Sequence, residues 1–130
     1  MYQPPKTHIS YNDLKNLIIR LNKKGLLYSN DLLVFLDIDC TNSLPANVET
    51  IILDRAQAYL GKIPTANIID FLYTYMLKIE SSPAKQIIFL SMYLVAFNNY
   101  PEMISFQKLL AMSKVLDIYN KLHHSTLSLT

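Results

Sequence analysis

Residues 83–97 read Pro-Ala-Lys-Gln-Ile-Ile-Phe-Leu-Ser-Met-Tyr-Leu-Val-Ala-Phe. Between Ile87 and Phe97 every residue except Ser91 is hydrophobic, so no polar face can be drawn at any period. A helix that is apolar on all sides belongs in the middle of a packed domain or in a membrane. Spanning a bilayer takes about 18 or more consecutive apolar residues, and this run is shorter. The stretch therefore predicts a buried central helix over 83–97 and no membrane span.

The residues at both ends of this stretch favour a helix with these bounds. Ser82 suits the N-cap position, and Pro83 suits the first helical position, where its missing N–H has no helical partner to lose. At the other end we expect Asn99-Tyr100-Pro101 to stop the helix, because the residue before a proline disfavours helical geometry.

Apolar residues that recur at helical spacing predict five further helices. The clearest runs over 11–24, where Ser10 and Asp13 form a capping-box pattern and Gly25 stands where a glycine cap is expected. The others are predicted at 30–38, 45–60, 66–80 and 102–122. The run from Leu32 to Leu36 is also compatible with a buried strand, but no second strand is available to pair with it, so we favour a helix.

Short connections between successive helices favour antiparallel neighbours. We therefore predict an all-α fold, a compact bundle of about six helices around the central helix 83–97, with three stacked antiparallel hairpins as a variant. The 130 residues are expected to form a single helical domain, 1–130. Within it, Pro4-Pro5 predicts an extended lead-in at 1–9, and 123–130 is predicted to be a frayed tail.

Composition narrows the class of function. Hydrophobic residues make up 51% of the chain and charged residues 17%, against roughly 25% charged residues in a typical soluble domain. The net charge of +2 is too small to indicate nucleic acid binding. Cys40 is the single cysteine and the N-terminus has no apolar core of a secretory signal, so we expect a cytoplasmic, reducing location.

Charge is distributed unevenly along the chain. Residues 1–30 carry a net charge of +4, residues 31–60 a net charge of −4, and residues 61–130 a net charge of +2. Charge complementarity of this kind contributes more to the specificity and rate of protein association than to its affinity.

The residues Leu33-Val34-Phe35-Leu36-Asp37-Ile38-Asp39-Cys40-Thr41 join an apolar run to the pattern Asp-x-Asp-x-Thr. This pattern resembles the first motif of the haloacid-dehalogenase-like hydrolases, in which it follows a buried strand. The resemblance implies a divergent or truncated phosphohydrolase with Asp37 as nucleophile, Asp39 as general acid and base, and Mg²⁺ as cofactor. The stretch Ile87-Ile88-Phe89-Leu90-Ser91 is similar to the family's second motif, a strand that ends in Ser or Thr.

Other features favour a non-catalytic protein over this alternative. The paired acidic residues that complete the family's metal site are missing, since Asp117 stands alone in a helical pattern. His123 and His124 are adjacent, so on a helix they point about 100° apart and do not converge on one metal ion. Both glycines match helix caps, which leaves no Gly-rich phosphate loop. We therefore predict no catalytic, metal-binding or cofactor-binding residues, no cofactor and no small-molecule substrate.

The tyrosines divide by their place in the helical pattern. Tyr59, Tyr73, Tyr93 and Tyr119 fall on apolar stripes, where a buried ring with its hydroxyl at the edge is usual. The tyrosines predicted to be at least partly exposed are Tyr2, Tyr28, Tyr75 and Tyr100.

The remaining hypotheses concern binding. We expect a protein–protein interaction domain, either an adaptor, an inhibitor or a subunit of a larger assembly, whose partner is another protein or a second copy of the chain. A domain with few charges is expected to expose apolar surface, which marks interfaces. The predicted places are Leu26, Leu27, Tyr28, Ile63, Tyr100 and Met103. A second alternative is a helical domain that binds a small apolar ligand, for which five adaptable methionines would be suited.

Overall fold

The computed structural model describes residues 8–39, 43–79, 81–100 and 106–127. These residues form six α-helices and no strand, which confirms the all-α prediction and makes the segment predicted at 30–38 a helix. The helices are α1 (Tyr11–Lys23), α2 (Asn30–Leu36), α3 (Val48–Leu60), α4 (Ile68–Met76), α5 (Pro83–Asn99) and α6 (Phe106–Leu127), with a 3₁₀ turn at Thr65–Asn67 ahead of α4.

Helix α5 lies at the centre of the bundle, as its sequence predicts. Every residue from Ile87 to Ala96 is buried, and α5 packs against all five of the other helices. The one polar side chain in this stretch, that of Ser91, donates a hydrogen bond of 2.8 Å to the carbonyl oxygen of Ile87. Because its hydroxyl finds a partner within its own helix, the serine is tolerated in an apolar core.

The start of α5 is confirmed and its end lies slightly further on than predicted. The hydroxyl oxygen of Ser82 accepts a hydrogen bond of 3.3 Å from the backbone N–H of Lys85, and Pro83 is the first helical residue. The helix continues to Asn99, two residues beyond the predicted end. In this last turn, the side-chain amide of Asn98 donates a hydrogen bond of 2.8 Å to the carbonyl oxygen of Leu94, so a polar residue completes the helix.

Helices α1 and α2 end in the same hydrogen-bond pattern with different residues at the turn. After α1, Gly25 has a φ of 70°, and the N–H groups of Gly25 and Leu26 donate to the carbonyl oxygens of Asn22 and Leu21. This is a Schellman motif, in which the left-handed residue is usually glycine, so the predicted glycine cap is confirmed. After α2, the left-handed position is occupied by Asp37, with a φ of 55°.

The helices form one bundle rather than three stacked hairpins. Helix α1 packs mainly against α3 and α6, and α2 packs against α5 and α3. Among the described residues, neither α1 with α2 nor α3 with α4 is one of the main helix pairs, whereas α3 makes the most extensive contact with α5. This arrangement follows from α5, because a helix that is apolar all round needs neighbours on every side.

The prediction of a frayed tail at 123–130 is wrong up to Leu127, because α6 continues to that residue. Arg20 on α1 holds this end of α6. Its Nε donates a hydrogen bond of 3.2 Å to Oγ1 of Thr126. Its Nη2 lies 2.9 Å from Nδ1 of His123, and this ring nitrogen is the acceptor because a guanidinium can only donate. Thr126 is buried in consequence. Sequence spacing could not reveal this contact, because its partners are about a hundred positions apart.

The other boundaries differ from the predictions at their ends. Helix α3 begins at Val48 rather than 45, and α4 begins at Ile68, after the 3₁₀ turn, and ends at Met76 rather than 80. The predicted lead-in up to residue 7 and the predicted start of the sixth helix at 102 lie outside the described residues.

The substitution Phe89→Ala is expected to lower the free energy of unfolding by about 3–5 kcal/mol, because it empties a fully packed position in α5. The substitution Ser82→Ala, at the N-cap of the same helix, is expected to lower it by only about 1 kcal/mol. Urea unfolding followed by circular dichroism measures both values. Equal losses would contradict the central position of α5.

Candidate functional site

Helix α4 combines an apolar sequence with little burial. Seven of its nine residues are hydrophobic, but only Ile68 and Leu72 are buried. Among the described helices, α5 is the one that makes an extensive contact with it. As a result Tyr73 is 57% exposed, and Leu77, directly after the helix, is 65% exposed. Helix α4 therefore presents apolar side chains to solvent in the described part of the chain.

Four aromatic rings from α2, α3 and α4 form a continuous row. The ring centroid of Tyr59 lies 5.9 Å from that of Phe35 and 5.7 Å from that of Phe71, and the centroids of Phe71 and Tyr75 are 6.3 Å apart. Such offset ring pairs contribute about 0.5–1.5 kcal/mol each beyond the area that they bury. The row is thus held together by its own contacts, while Tyr59 stays 43% exposed.

The row and the exposed side of α4 together define the candidate site. The aromatic surface, as we use the term, consists of Phe35, Tyr59, Phe71, Tyr73, Tyr75 and Leu77. Successive helical residues are about 100° apart. Tyr73 and Leu77 therefore lie at one edge of the exposed side of α4, and the rings of Phe71 and Tyr75 lie at its other edge. Asp70 and Thr74 are exposed between the two edges.

Arg55 on α3 fixes α2 beside this surface. Its Nε donates a hydrogen bond of 3.1 Å to the carbonyl oxygen of Phe35. That carbonyl belongs to the last turn of α2, where carbonyl groups have no helical partner and a cation is favoured by the helix dipole. The guanidinium therefore satisfies the end of α2 and keeps Phe35 in contact with α3.

The phenol of Tyr75 on α4 lies within electrostatic reach of Asp31 on α2. The pKa of Tyr75 is raised to about 12, first by burial and then by the nearby Asp31 carboxylate on α2 and the Tyr59 phenol. Tyr75 is therefore a neutral hydroxyl at physiological pH, next to an exposed acidic side chain. This end of the aromatic surface offers phenol and carboxylate oxygens.

The prediction that Tyr59 and Tyr73 belong to the core is wrong, whereas Tyr93 and Tyr119 are buried as predicted. Helices α3 and α4 are apolar on more than one side, so the 3.6-residue period cannot tell a core-facing ring from an exposed one. Tyr75, predicted to be at least partly exposed, is half-buried. The sequence did contain one indication of this exposure, because α4 has more apolar residues than one helix face can bury.

The apolar cluster predicted at helix ends is only partly exposed. Leu26 and Tyr28 are exposed, but Leu27 is fully buried. Ile63 and Tyr100 are half-buried against the core. Met103 lies outside the described residues. Among the described residues, exposed large apolar side chains therefore occur within α2, α3 and α4 as well as at helix ends.

Asp37 and Asp39 are not placed as the hydrolase resemblance requires. The residues before Asp37 form α2 and not a strand, and both aspartates are exposed. The second motif is also helical, since Ser91 is buried inside α5. Cys40 and Thr41 lie outside the described residues. The strands on which the resemblance depends are thus replaced by helices.

The two histidines at the end of α6 lie in different surroundings. His123 contacts Arg20 and its ring stacks on that of Tyr119, with centroids 5.9 Å apart, while His124 is exposed. Within the described ranges, no three His, Cys, Asp or Glu side chains lie close enough to hold a metal ion together.

A small apolar pocket lies between the start of α1, the C-terminal half of α5 and α6. Its volume is about 90 Å³, and Ile9, Leu90, Phe97 and Val115 are among its lining residues. Sites for drug-sized ligands have volumes of roughly 300–1,000 Å³. The pocket therefore offers little support for the alternative of a small apolar ligand.

No protein-family model matches this chain, and no curated protein or solved structure is significantly similar to it. Of the helices that the structure describes, none has both the length and the apolar character needed to cross a bilayer.

The substitution Asp37→Gly is expected to raise the free energy of unfolding by about 1 kcal/mol. A left-handed conformation costs roughly 1–2 kcal/mol for residues other than glycine, and a carboxylate at a helix C-terminus opposes the helix dipole. The matched control is Asp39→Gly, because Asp39 is also exposed but does not have a positive φ. Urea unfolding measures the change, and a loss of stability in Asp37→Gly would contradict the strained cap.

Proposed function

We propose that this chain is a non-catalytic protein–protein interaction domain and that its partner binds at the aromatic surface. The observation that carries the proposal is the exposure of large apolar side chains in this part of the chain, Tyr59 on α3, Tyr73 on α4 and Leu77 directly after α4. Exposed apolar patches on proteins mark interaction sites, and aromatic residues are enriched at the centres of interfaces. The domain would act as an adaptor, an inhibitor or a subunit of a larger assembly.

The construction of the aromatic surface supports this role. Its rings already contact one another, and Arg55 holds Phe35 in place through the end of α2. Side chains that are ordered before binding lose less conformational entropy on association, which favours affinity. Tyrosine also combines an apolar ring with a hydroxyl that forms hydrogen bonds at the rim of an interface.

The kind of assembly stays a prediction from the sequence. The partner is either a different protein or a second copy of the chain, and the interface is expected to bury on the order of 1,200–2,000 Å² in total. A cytoplasmic setting is supported by the single cysteine.

The proposal is tested by substitutions that change the surface without entering the core. The double substitution Tyr73→Ser and Leu77→Ser removes two exposed apolar side chains from the aromatic surface. The matched control, Leu26→Ser and Leu127→Ser, removes two exposed apolar side chains elsewhere, which are 43% and 47% exposed. Each tagged variant is expressed in the native source, recovered under gentle conditions and sized by gel filtration with light scattering.

We expect the wild-type chain and the control to elute as the same assembly and the Tyr73→Ser, Leu77→Ser variant to elute as a monomer. Circular dichroism should show the same helical content for all three, since none of the changed side chains is buried. An assembly that survives loss of the aromatic surface, or a wild-type chain that is itself a monomer with no partner, would contradict the proposal.

A further inference from the structure

We infer that the end of α6 is held on α1 by a pH-sensitive latch, which is closed at neutral pH and opens when the imidazole of His123 takes up a second proton. The latch, as we use the term, consists of Arg20 on α1 and of His123 and Thr126 on α6. It lies on other helices than the aromatic surface, so the inference goes beyond the proposed function.

Helix α6 contacts α1 through three side chains on one of its sides. Tyr119, His123 and Thr126 follow one another at helical spacing, and residues at this spacing face the same way. The hydroxyl of Tyr119 donates to the carbonyl oxygen of Asp13 at 3.5 Å, in the first turn of α1. His123 and Thr126 both contact Arg20, in the last turn of α1. The contact therefore has a phenol at one end and the latch at the other.

The residues of the latch depend on one another. Oγ1 of Thr126 accepts a hydrogen bond of 3.2 Å from Nε of Arg20 and donates one of 2.7 Å to the carbonyl oxygen of His123. The same guanidinium contacts the His123 ring through its Nη2. Because one arginine holds both residues of α6, the loss of its bond to the imidazole loosens the whole last turn.

The contact between Arg20 and His123 needs a neutral imidazole. A guanidinium has only donors, so Nδ1 of His123, 2.9 Å from Nη2 of Arg20, must carry a lone pair and the ring proton must be on Nε2. The ring is half-buried, so a proton from solvent can reach it. A proton on Nδ1 turns the acceptor into a donor and places two positive charges side by side. One proton thus replaces an attractive contact by a repulsive one.

The charges around the latch favour the neutral form of the ring. Helices α1 and α5 are the main neighbours of α6 among the described residues. Apart from Arg20, the charged residues of these two helices and of the α1 cap are one acid and four cations: Asp13, Lys15, Lys23, Lys24 and Lys85. The acid lies at the Tyr119 end and forms the capping box with Ser10. On α6 itself, Asp117 pairs with Lys121, and Lys114 and His124 are exposed.

The sign of the pH dependence follows from this chemistry. An imidazole in an unfolded chain takes up its second proton near pH 6.5. The closed latch binds the neutral ring, so the open state takes up the proton more readily, and a falling pH shifts the equilibrium towards it. The latch therefore stabilises the end of α6 above about pH 6.5 and is lost progressively below it. Burial raises the pKa of the Tyr119 phenol above its ordinary value, so this anchor does not titrate in the same range.

The inference is tested by hydrogen–deuterium exchange of the whole chain at pH 7.5 and pH 5.5, with rates corrected for the intrinsic effect of pH. The substitution His123→Asn keeps an acceptor oxygen near the position of Nδ1 but cannot titrate. The matched control is His124→Asn, because His124 is the adjacent histidine and is exposed. The substitution Arg20→Met removes the donor and the positive charge, and it gives a second readout should His123→Asn fail to fold.

We expect the backbone amides of residues 123–127 to exchange roughly three- to tenfold faster at pH 5.5 in the wild type and in His124→Asn. Tenfold is about the most that a group with an ordinary value near 6.5 can supply one pH unit below it. In His123→Asn the exchange should be slow at both pH values, and in Arg20→Met it should be fast at both. The amides of residues 87–96 in α5 should keep their protection throughout, because the latch opens without unfolding the core.

Four results would overturn the inference. The first is an unchanged exchange rate of residues 123–127 in the wild type, and the second is a pH response that survives in His123→Asn or in Arg20→Met. The third is a response that His124→Asn abolishes, since the titrating group would then be the exposed histidine. The fourth is an equal increase of exchange in residues 87–96, which would show that acid unfolds the whole domain.

Discussion

Every side of α5 has to be covered by protein, because the residues from Ile87 to Ala96 leave no face that water can solvate. Five helices surround it, and two of them, α2 and α4, are short. Each of these two inserts only a pair of buried side chains into the core, Leu32 and Leu36 from α2 and Ile68 and Leu72 from α4. Their remaining apolar side chains must either pack on neighbouring helices or face solvent.

The aromatic surface is the result of this division. Phe35, Phe71 and Tyr75 are partly buried and pack against the edge of the core. Phe35 and Phe71 also contact the ring of Tyr59 on α3, and Tyr75 contacts that of Phe71. Arg55 stabilises the arrangement by satisfying the end of α2.

The elements with a strong local signal could be predicted from the sequence. The central helix follows from its unbroken apolar run, and α1 follows from the Ser10–Asp13 capping box and from Gly25, all of which depend on near neighbours in the chain. Two features could not be predicted, because they depend on packing between distant residues. Helix α6 continues to Leu127, where Arg20 of α1 forms a hydrogen bond with Thr126 in its last turn. The rings of Tyr59 and Tyr73 are exposed although they stand at helical spacing from buried residues. The aromatic surface is the part of the candidate site that depends most on such contacts.

The central claim is that the aromatic surface is open in the isolated chain and covered in its native assembly. Thiol alkylation tests it directly in a Cys40→Ser background, with Leu77→Cys as the reporter and Leu127→Cys as the matched exposed control. In the purified chain both introduced thiols should react as fast as thiols in an unfolded peptide. In the native assembly the thiol of Leu77→Cys should become protected, while that of Leu127→Cys stays reactive. Protection already present in the purified chain, or equal reactivity of Leu77→Cys in both states, would contradict the claim.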